Sequence, residues 1–314
     1  MEYVSLGKLK VSKLCFGSLT IGPLQCNLSV RKGAEIIARA FELGVNFIDT
    51  AQYYKNYEYI RAGMELSGNK DTVISSKTYA YDRAAAMSAV EEARAALNRD
   101  YIDIFMLHEQ ESIHTLRGHS EALDYLFEAR EKGLIRAVGV SMHHIAAVEG
   151  VCELIRRGYP IDCVHPICNL TGLGIADGNR DDMLKAIASA HKLGAGVFSM
   201  KPLGGGHLYN DAAKAFDFLL DCEAVDAIAV GMQSVEEVEA NVHFFKYRNF
   251  GNAEIKRKRA LFIEDHCEKC GKCIERCSQK ALVRESERIR ILHGKCVLCG
   301  YCSAVCPVFA IKVL

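Results

Sequence analysis

Two cysteine runs near the end of the chain constrain its fold more than any other feature. Eight of the fourteen cysteines form these runs, CEKCGKCIERC and CVLCGYCSAVCP, and both share the spacing C-x2-C-x2-C-x3-C. Three closely spaced thiolates can cover one face of a four-iron cube, while the fourth corner must be reached from elsewhere in the chain. The runs therefore predict two [4Fe-4S] clusters, each bound by three cysteines of one run and the last cysteine of the other.

This pairing rule assigns every cysteine of the two runs. The first cluster is predicted to bind Cys267, Cys270, Cys273 and Cys306, and the second Cys296, Cys299, Cys302 and Cys277. Zinc sites are an alternative, but they usually use two separated CxxC pairs. Disulfides belong mostly to secreted proteins, and nothing in the sequence indicates secretion. One departure is Ser278, which follows Cys277 where a proline is usual. The tail from residue 260 to 314 resembles a bacterial ferredoxin.

Charge and hydropathy exclude several classes of partner. Lys plus Arg and Asp plus Glu number 39 each, so the neutral chain has no basic field to attract nucleic acid or an anionic membrane. The sequence has no window of about 18 apolar residues, and its first residues lack the apolar stretch of a secretion signal. We therefore expect a soluble, cytoplasmic protein with no nucleic-acid or membrane partner.

The rest of the chain alternates short apolar runs with amphipathic stretches. The predicted strands are residues 14–18, 45–49, 72–77, 102–108, 136–141, 162–167, 196–201 and 226–231. Eight such alternations predict a closed parallel (β/α)8 TIM barrel, an α/β fold. The opening YVSLGKLKVSKL predicts a hairpin around Gly7 that plugs the barrel floor.

The polar and basic run RNFGNAEIKRKR cannot bury an apolar face, so it predicts a linker. We accordingly expect three parts: a barrel at residues 1–248, a linker at 249–259, and a small C-terminal α+β ferredoxin-like 2[4Fe-4S] domain at 260–314.

Four polar residues fall at or just beyond the ends of predicted strands, on the barrel face that carries active sites. They are Asp49, Tyr54, Lys77 and His108, within the motifs GVNFIDTAQYY, VISSK and DIFMLH. Taken singly, each has a structural explanation, such as a helix cap or a buried core residue. Taken together, these motifs resemble the aldo-keto reductases over roughly residues 1–248.

The resemblance implies a catalytic role for each of the four. Tyr54 would be the general acid, chosen over its neighbour Tyr53 by its spacing from Asp49. Lys77 would stabilise the phenolate and Asp49 would pair with Lys77. His108 would hydrogen-bond and polarise the substrate carbonyl.

The resemblance also implies an extended nicotinamide dinucleotide, NAD or NADP, across the barrel top. It places Ser141, His165 and Asn169 near the nicotinamide, Lys201, Gly204, Gly205 and Gly206 near the diphosphate, and Gly231, Gln233, Glu237 and Asn241 at the adenosine end. His165 stands where the family usually has glutamine. The carboxylate of Glu237 would repel a 2'-phosphate, which argues against a strict NADP preference unless a lysine from elsewhere substitutes. His143 and His144 are expected to be cap or surface residues.

Three functions remain open. The first is a nicotinamide-dependent carbonyl reductase or alcohol dehydrogenase with structural or regulatory clusters. The second is a ferredoxin-linked reductase, in which the clusters pass single electrons and a flavin or organic radical divides the electron pair. The third is a non-catalytic electron-transfer or sensory subunit. The expected partners are a small-molecule carbonyl or alcohol and, for the second function, a ferredoxin or other electron carrier.

Overall fold

A hairpin opens the chain and covers one end of a barrel. The computed structural model describes residues 1–69, 71–251, 259–296, 298 and 300–313. Strand β1 (Tyr3–Leu6) pairs antiparallel with β2 (Leu9–Ser12) across the turn that contains Gly7. This confirms the predicted hairpin.

Within the described residues, eight parallel strands close into a barrel. They are β3 (Leu14–Gly17), β4 (Phe47–Asp49), β5 (Val73–Thr78), β6 (Ile102–Gln110), β7 (Ile135–Met142), β8 (Cys163–Pro166), β9 (Gly196–Met200) and β10 (Ala227–Gly231). Each strand pairs with the next along the chain, and β10 returns to pair with β3. The predicted barrel is confirmed, and all eight predicted strands overlap observed ones.

Helices connect the strands on the outside of the barrel. They are α1 (Val30–Glu42), α2 (Tyr57–Ser67), α3 (Arg83–Leu97), α4 (Ile113–Gly118), α5 (Ser120–Glu131), α6 (Ile145–Arg156), α7 (Arg180–Lys192), α8 (Ala212–Leu220) and α9 (Val235–Tyr247). Several begin at a polar cap: Ser29 accepts a hydrogen bond from the Lys32 backbone, and Asp82 accepts one from Ala85. Such caps satisfy amides that have no partner in the first helical turn. In the part of the chain that is described, no helix is long and apolar enough to cross a membrane.

The lower part of the barrel is filled by the hairpin. Leu6, Leu9 and Val11 are buried against barrel residues that include Phe47 and Phe198. This apolar plug closes the floor, so the polar ends of the strands meet at the opposite, upper face.

The C-terminal segment forms a separate small core of short elements. Strand β11 (Leu261–Ile263) pairs antiparallel with β14 (Ile311–Val313), and β12 (Leu282–Arg284) pairs with β13 (Ile289–Ile291). Helices α10 (Lys272–Arg276) and α11 (Tyr301–Ala304) each lie within a cysteine run. Most of the predicted linker, residues 252–258, lies outside the described residues, so the three predicted boundaries stay predictions.

Candidate active site and cluster domain

Asp49 and Lys77 form a buried ion pair at the top of the barrel. Asp49 ends β4 and Lys77 lies near the end of β5, the neighbouring strand. Lys77 Nζ donates to Asp49 Oδ2 at 2.7 Å and to the Thr50 carbonyl at 2.7 Å. Burial alone would raise the pKa of Asp49, but Lys77 and His165 outweigh it and hold that pKa well below its usual range. The carboxylate is therefore ionised and fixes the ammonium in place.

Tyr54 lies in a short 3-10 turn, Gln52–Tyr54, that follows β4. The ammonium of Lys77 is 5.0 Å from the centre of its ring, and the ring meets that of His108 edge to face at 5.7 Å. Burial and the charge of Asp49 raise the pKa of Tyr54 well above its ordinary value. This shift is opposite to the expected one, because a phenolate stabilised by Lys77 would give Tyr54 a lowered pKa. The physical reason is that Asp49 already neutralises the ammonium, while burial disfavours the phenolate.

His108 is buried in β6. Its Nδ1 is buried and has no hydrogen-bond partner in the described part of the chain. Burial and the nearby Lys77 lower the pKa of His108 to about 3, so its ring is neutral at neutral pH. A buried ring nitrogen without a partner is costly unless a ligand completes it. His108 can therefore bind a substrate oxygen without carrying charge.

A chain of polar groups lies beside these residues. Glu109 accepts a hydrogen bond from the Tyr79 hydroxyl, and its Oε1 is 3.6 Å from His143 Nε2. The same His143 nitrogen is 2.8 Å from Lys201 Nζ. Burial and Lys312 lower the pKa of Lys201 to about 8. The expectation that His143 is a cap or surface residue was wrong. It directly follows β7, and that position at a strand end was the signal that could have found it.

These groups border one cavity of about 1410 Å³ at the carboxyl ends of the strands. Three of the four predicted catalytic residues line this cavity: Asp49, Tyr54 and His108. Lys77 does not line it but bonds to Asp49. The C-terminal domain supplies part of the opposite wall, including Glu264, Cys306, Phe309 and Lys312. Lys312 is buried, lies 3.2 Å from Glu264 Oε2, and has its ammonium 3.8 Å from the centre of the Phe309 ring. The site is thus built from both parts of the chain.

The three residues predicted near the nicotinamide make polar contacts with other parts of the protein. Ser141 Oγ accepts the backbone N–H of Glu109 at 2.9 Å. The Asn169 amide donates to the Leu173 carbonyl and accepts the Leu173 N–H. His165 Nδ1 contacts the Phe198 carbonyl at 2.6 Å, and its Nε2 is 3.6 Å from Asp49. Only His165 of the three lines the cavity, so these residues do not fit the carboxamide recognition that the resemblance implied.

The residues predicted at the diphosphate and the adenosine end lie on the same upper face. Lys201, Gly205, Gly206, Gly231, Gln233, Glu237 and Asn241 line the cavity, whereas Gly204 does not. Glu237 accepts the Gln233 N–H and pairs with Arg259 at 3.2 Å. Gln233 Oε1 and Arg259 Nε are buried and have no hydrogen-bond partner among the residues that the structure describes. Arg259, which lies beyond the barrel in sequence, therefore offsets the negative charge of Glu237, the carboxylate that was expected to repel a 2'-phosphate.

The cysteines of the C-terminal domain gather in two places. Burial raises the pKa of the Cys273 thiol, and Cys267, Cys306 and Cys270 raise it further, so these four thiols lie within electrostatic reach. Cys277, Cys296 and Cys302 line a second, small cavity. Cys299 lies outside the described residues. These groupings fit the thiol chemistry of two [4Fe-4S] clusters, and the ligand assignment stays a prediction.

Changing Cys306 to alanine tests that pairing. We expect the iron content to fall from about eight to about four atoms per chain, because Cys306 is predicted to be the remote ligand of the first cluster only. The measurement is iron and sulfide analysis of anaerobically purified protein, with Cys222→Ala as control because Cys222 is a free thiol in the barrel. Full iron content in Cys306→Ala would show that the pairing is wrong.

Comparisons with known proteins identify both parts. Residues 13–218 match the aldo/keto reductase family and residues 259–308 match a 4Fe-4S dicluster domain. L-galactose dehydrogenase of Arabidopsis thaliana is 25% identical over 285 residues, which cover 77% of this chain and 87% of that protein. Aldo-keto reductase YhdN of Bacillus subtilis is 27% identical over 187 residues, 54% of each chain.

Solved structures share the fold. The aldo-keto reductase AKR11C1 from Bacillus halodurans, in its holo form, matches with a TM-score of 0.63 and 22% identity, covering 77% of this chain and 90% of that one. The match to the family spans well over half of the sequence, and the strand topology agrees with it. The chain therefore belongs to the aldo/keto reductase family and carries a 4Fe-4S dicluster domain after its barrel.

Proposed function

We propose that this protein interconverts a small carbonyl compound and the corresponding alcohol, with Tyr54 as the group that moves the proton. The carbonyl gains two electrons and two protons to become the alcohol, and the reverse reaction releases them. The observation that carries the proposal is that Tyr54, His108 and the Asp49 carboxylate border one cavity, with Lys77 fixed beneath them.

Each side chain has a role that its surroundings support. The raised pKa keeps Tyr54 protonated, so it can donate to the alkoxide that forms when a carbonyl is reduced, since an alkoxide is the stronger base. Neutral His108 borders the cavity and can hydrogen-bond the carbonyl oxygen. Asp49 holds the Lys77 ammonium 5.0 Å from the centre of the Tyr54 ring, so this cation stays beside the phenol when the proton leaves, as part of a neutral ion pair.

A ferredoxin-linked reductase is the second candidate. It is favoured by Cys306, a predicted cluster ligand that lines the same cavity as Tyr54. When bound, the clusters would supply single electrons, whereas a nicotinamide dinucleotide would supply hydride. Both candidates need the same proton chemistry from Tyr54, so they differ in the reductant and share the reaction.

An anaerobic assay of cluster-loaded protein tests the proposal. A panel of aldehydes and ketones is offered with NADH, with NADPH and with reduced methyl viologen, and flavin content is measured by absorbance. We expect alcohol formation from at least one carbonyl with at least one reductant. If no reductant yields alcohol from any carbonyl, and no alcohol is oxidised in reverse, the non-catalytic alternative is favoured instead.

A further inference from the structure

The last strand of the C-terminal domain is seated in the glycine loop of the barrel. The backbone N–H of Val313 donates to the Gly205 carbonyl at 2.8 Å. One residue earlier along the strand, the Lys312 side chain packs over Gly205, and a β-carbon built on Gly205 would lie 2.7 Å from Lys312 Cδ. His207, which follows the glycines, contacts the Ile311 carbonyl at 3.2 Å through Nε2. Strand β14 is therefore bound to this loop along its length.

The approach is closest at Gly206. A β-carbon built there would lie 1.9 Å from the Val313 carbonyl oxygen, and Gly206 has a φ of +90°. Nearby, a β-carbon on Gly174 would lie 3.0 Å from the Phe309 ring. These glycines are needed to admit protein backbone and an aromatic side chain. For Gly205 and Gly206, close approach to a diphosphate, the role that the resemblance implied, is not required to explain the glycine.

A dinucleotide bound across the barrel top needs three sites at once. At the nicotinamide end, Ser141 and Asn169 bond to backbone partners and do not line the cavity. At the diphosphate, strand β14 bonds to the glycine loop and packs against it. At the adenosine end, Glu237 is paired with Arg259, whose guanidinium also stacks 3.3 Å from the centre of the Tyr209 ring. The cavity volume would admit a dinucleotide, but at each of the three sites some of the groups that should hold one are already bound to protein.

We infer that the face of the barrel expected to bind an extended nicotinamide dinucleotide is instead the docking surface of the iron–sulfur domain, and that the reductant of this protein is a one-electron carrier of the ferredoxin class. The inference rests on the proposed function. Each carbonyl reduced consumes two electrons, delivered by two carrier molecules, and two protons from solvent. The product is one alcohol and two oxidised carriers.

Binding is measured directly, so that the result does not depend on turnover. Anaerobic, cluster-loaded protein is titrated with NADH and with NADPH by calorimetry and by nucleotide fluorescence, beside a nicotinamide-dependent aldo/keto reductase as positive control. We expect no saturable binding up to about 1 mM for either nucleotide. One equivalent bound with a Kd below about 100 µM, near −5.5 kcal/mol, would overturn the inference.

A turnover assay on the same preparation separates this inference from the proposed function. Reduced methyl viologen serves as the one-electron donor, and alcohol is measured against donor consumed. Two donors oxidised per alcohol, with no alcohol from NADH or NADPH, supports the inference. Alcohol formed only with a nicotinamide nucleotide overturns the inference and leaves the proposed function standing. If no donor yields alcohol, the proposed function fails, and the titration alone decides whether the surface binds a dinucleotide.

Discussion

Replacing Tyr54 by phenylalanine is expected to slow carbonyl reduction about 100- to 10,000-fold, the range that a positioned acid or base typically contributes. The substitution removes only the hydroxyl. The ring keeps its edge contact with His108 and its place 5.0 Å from the Lys77 ammonium. The loss therefore reports the proton that Tyr54 donates. The rate is measured with whichever reductant supports turnover, at equal cluster content.

Tyr53→Phe is the matched control for this experiment. Tyr53 is the adjacent residue, is 51% exposed and makes its ring contact with Tyr79 instead of His108. We expect the control to retain a rate close to that of the unmodified protein. Equal losses in the two variants, or an unchanged rate in Tyr54→Phe, would show that Tyr54 is not the acid.

Replacing Gly206 by alanine is expected to release the C-terminal strand from the barrel. The new methyl group would lie 1.9 Å from the Val313 carbonyl oxygen, a contact that only a backbone shift can relieve. The strand is held there by the Val313 N–H bond to Gly205. Hydrogen exchange at residues 309–313, together with limited proteolysis between barrel and cluster domain, measures the release. We expect exchange in this segment to become much faster.

Gly194→Ala supplies the control for backbone strain. Gly194 has the same φ of +90°, but a β-carbon built there meets no atom of the described residues within 4 Å. Both variants therefore place alanine in a left-handed conformation, at a cost of about 1 to 2 kcal/mol. Only Gly206→Ala adds the clash with β14. If exchange at residues 309–313 is equally slow in both variants, the strand is not seated in the glycine loop as described.

Local sequence patterns were sufficient to predict the barrel strands and the polar residues at their ends. The run TVISSK predicted a strand at residues 72–77, and the strand extends over Val73–Thr78. Parallel strands in a closed barrel end at the same face, so Asp49, Lys77 and His108 had to approach one another once the strands were placed correctly. The pairing of Asp49 with Lys77 follows from that adjacency.

The role of the glycine loop could not be predicted in the same way. A glycine run indicates that something approaches the backbone closely, but it does not indicate what. The partner is strand β14, about one hundred residues further along the chain. Lys312 and Glu264 were missed as cavity residues for the same reason, because neither lies near a barrel motif in sequence.

By itself, the sequence determined the barrel, the cysteine runs and the residue types at the strand ends, because each of these depends on spacing along the chain. Only the tertiary structure decided that the cluster domain covers the upper face of the barrel, with Val313 bound to Gly205 and Cys306 lining the same cavity as Tyr54. That arrangement depends on the fit between two surfaces distant in sequence, which neither periodicity nor motif spacing encodes.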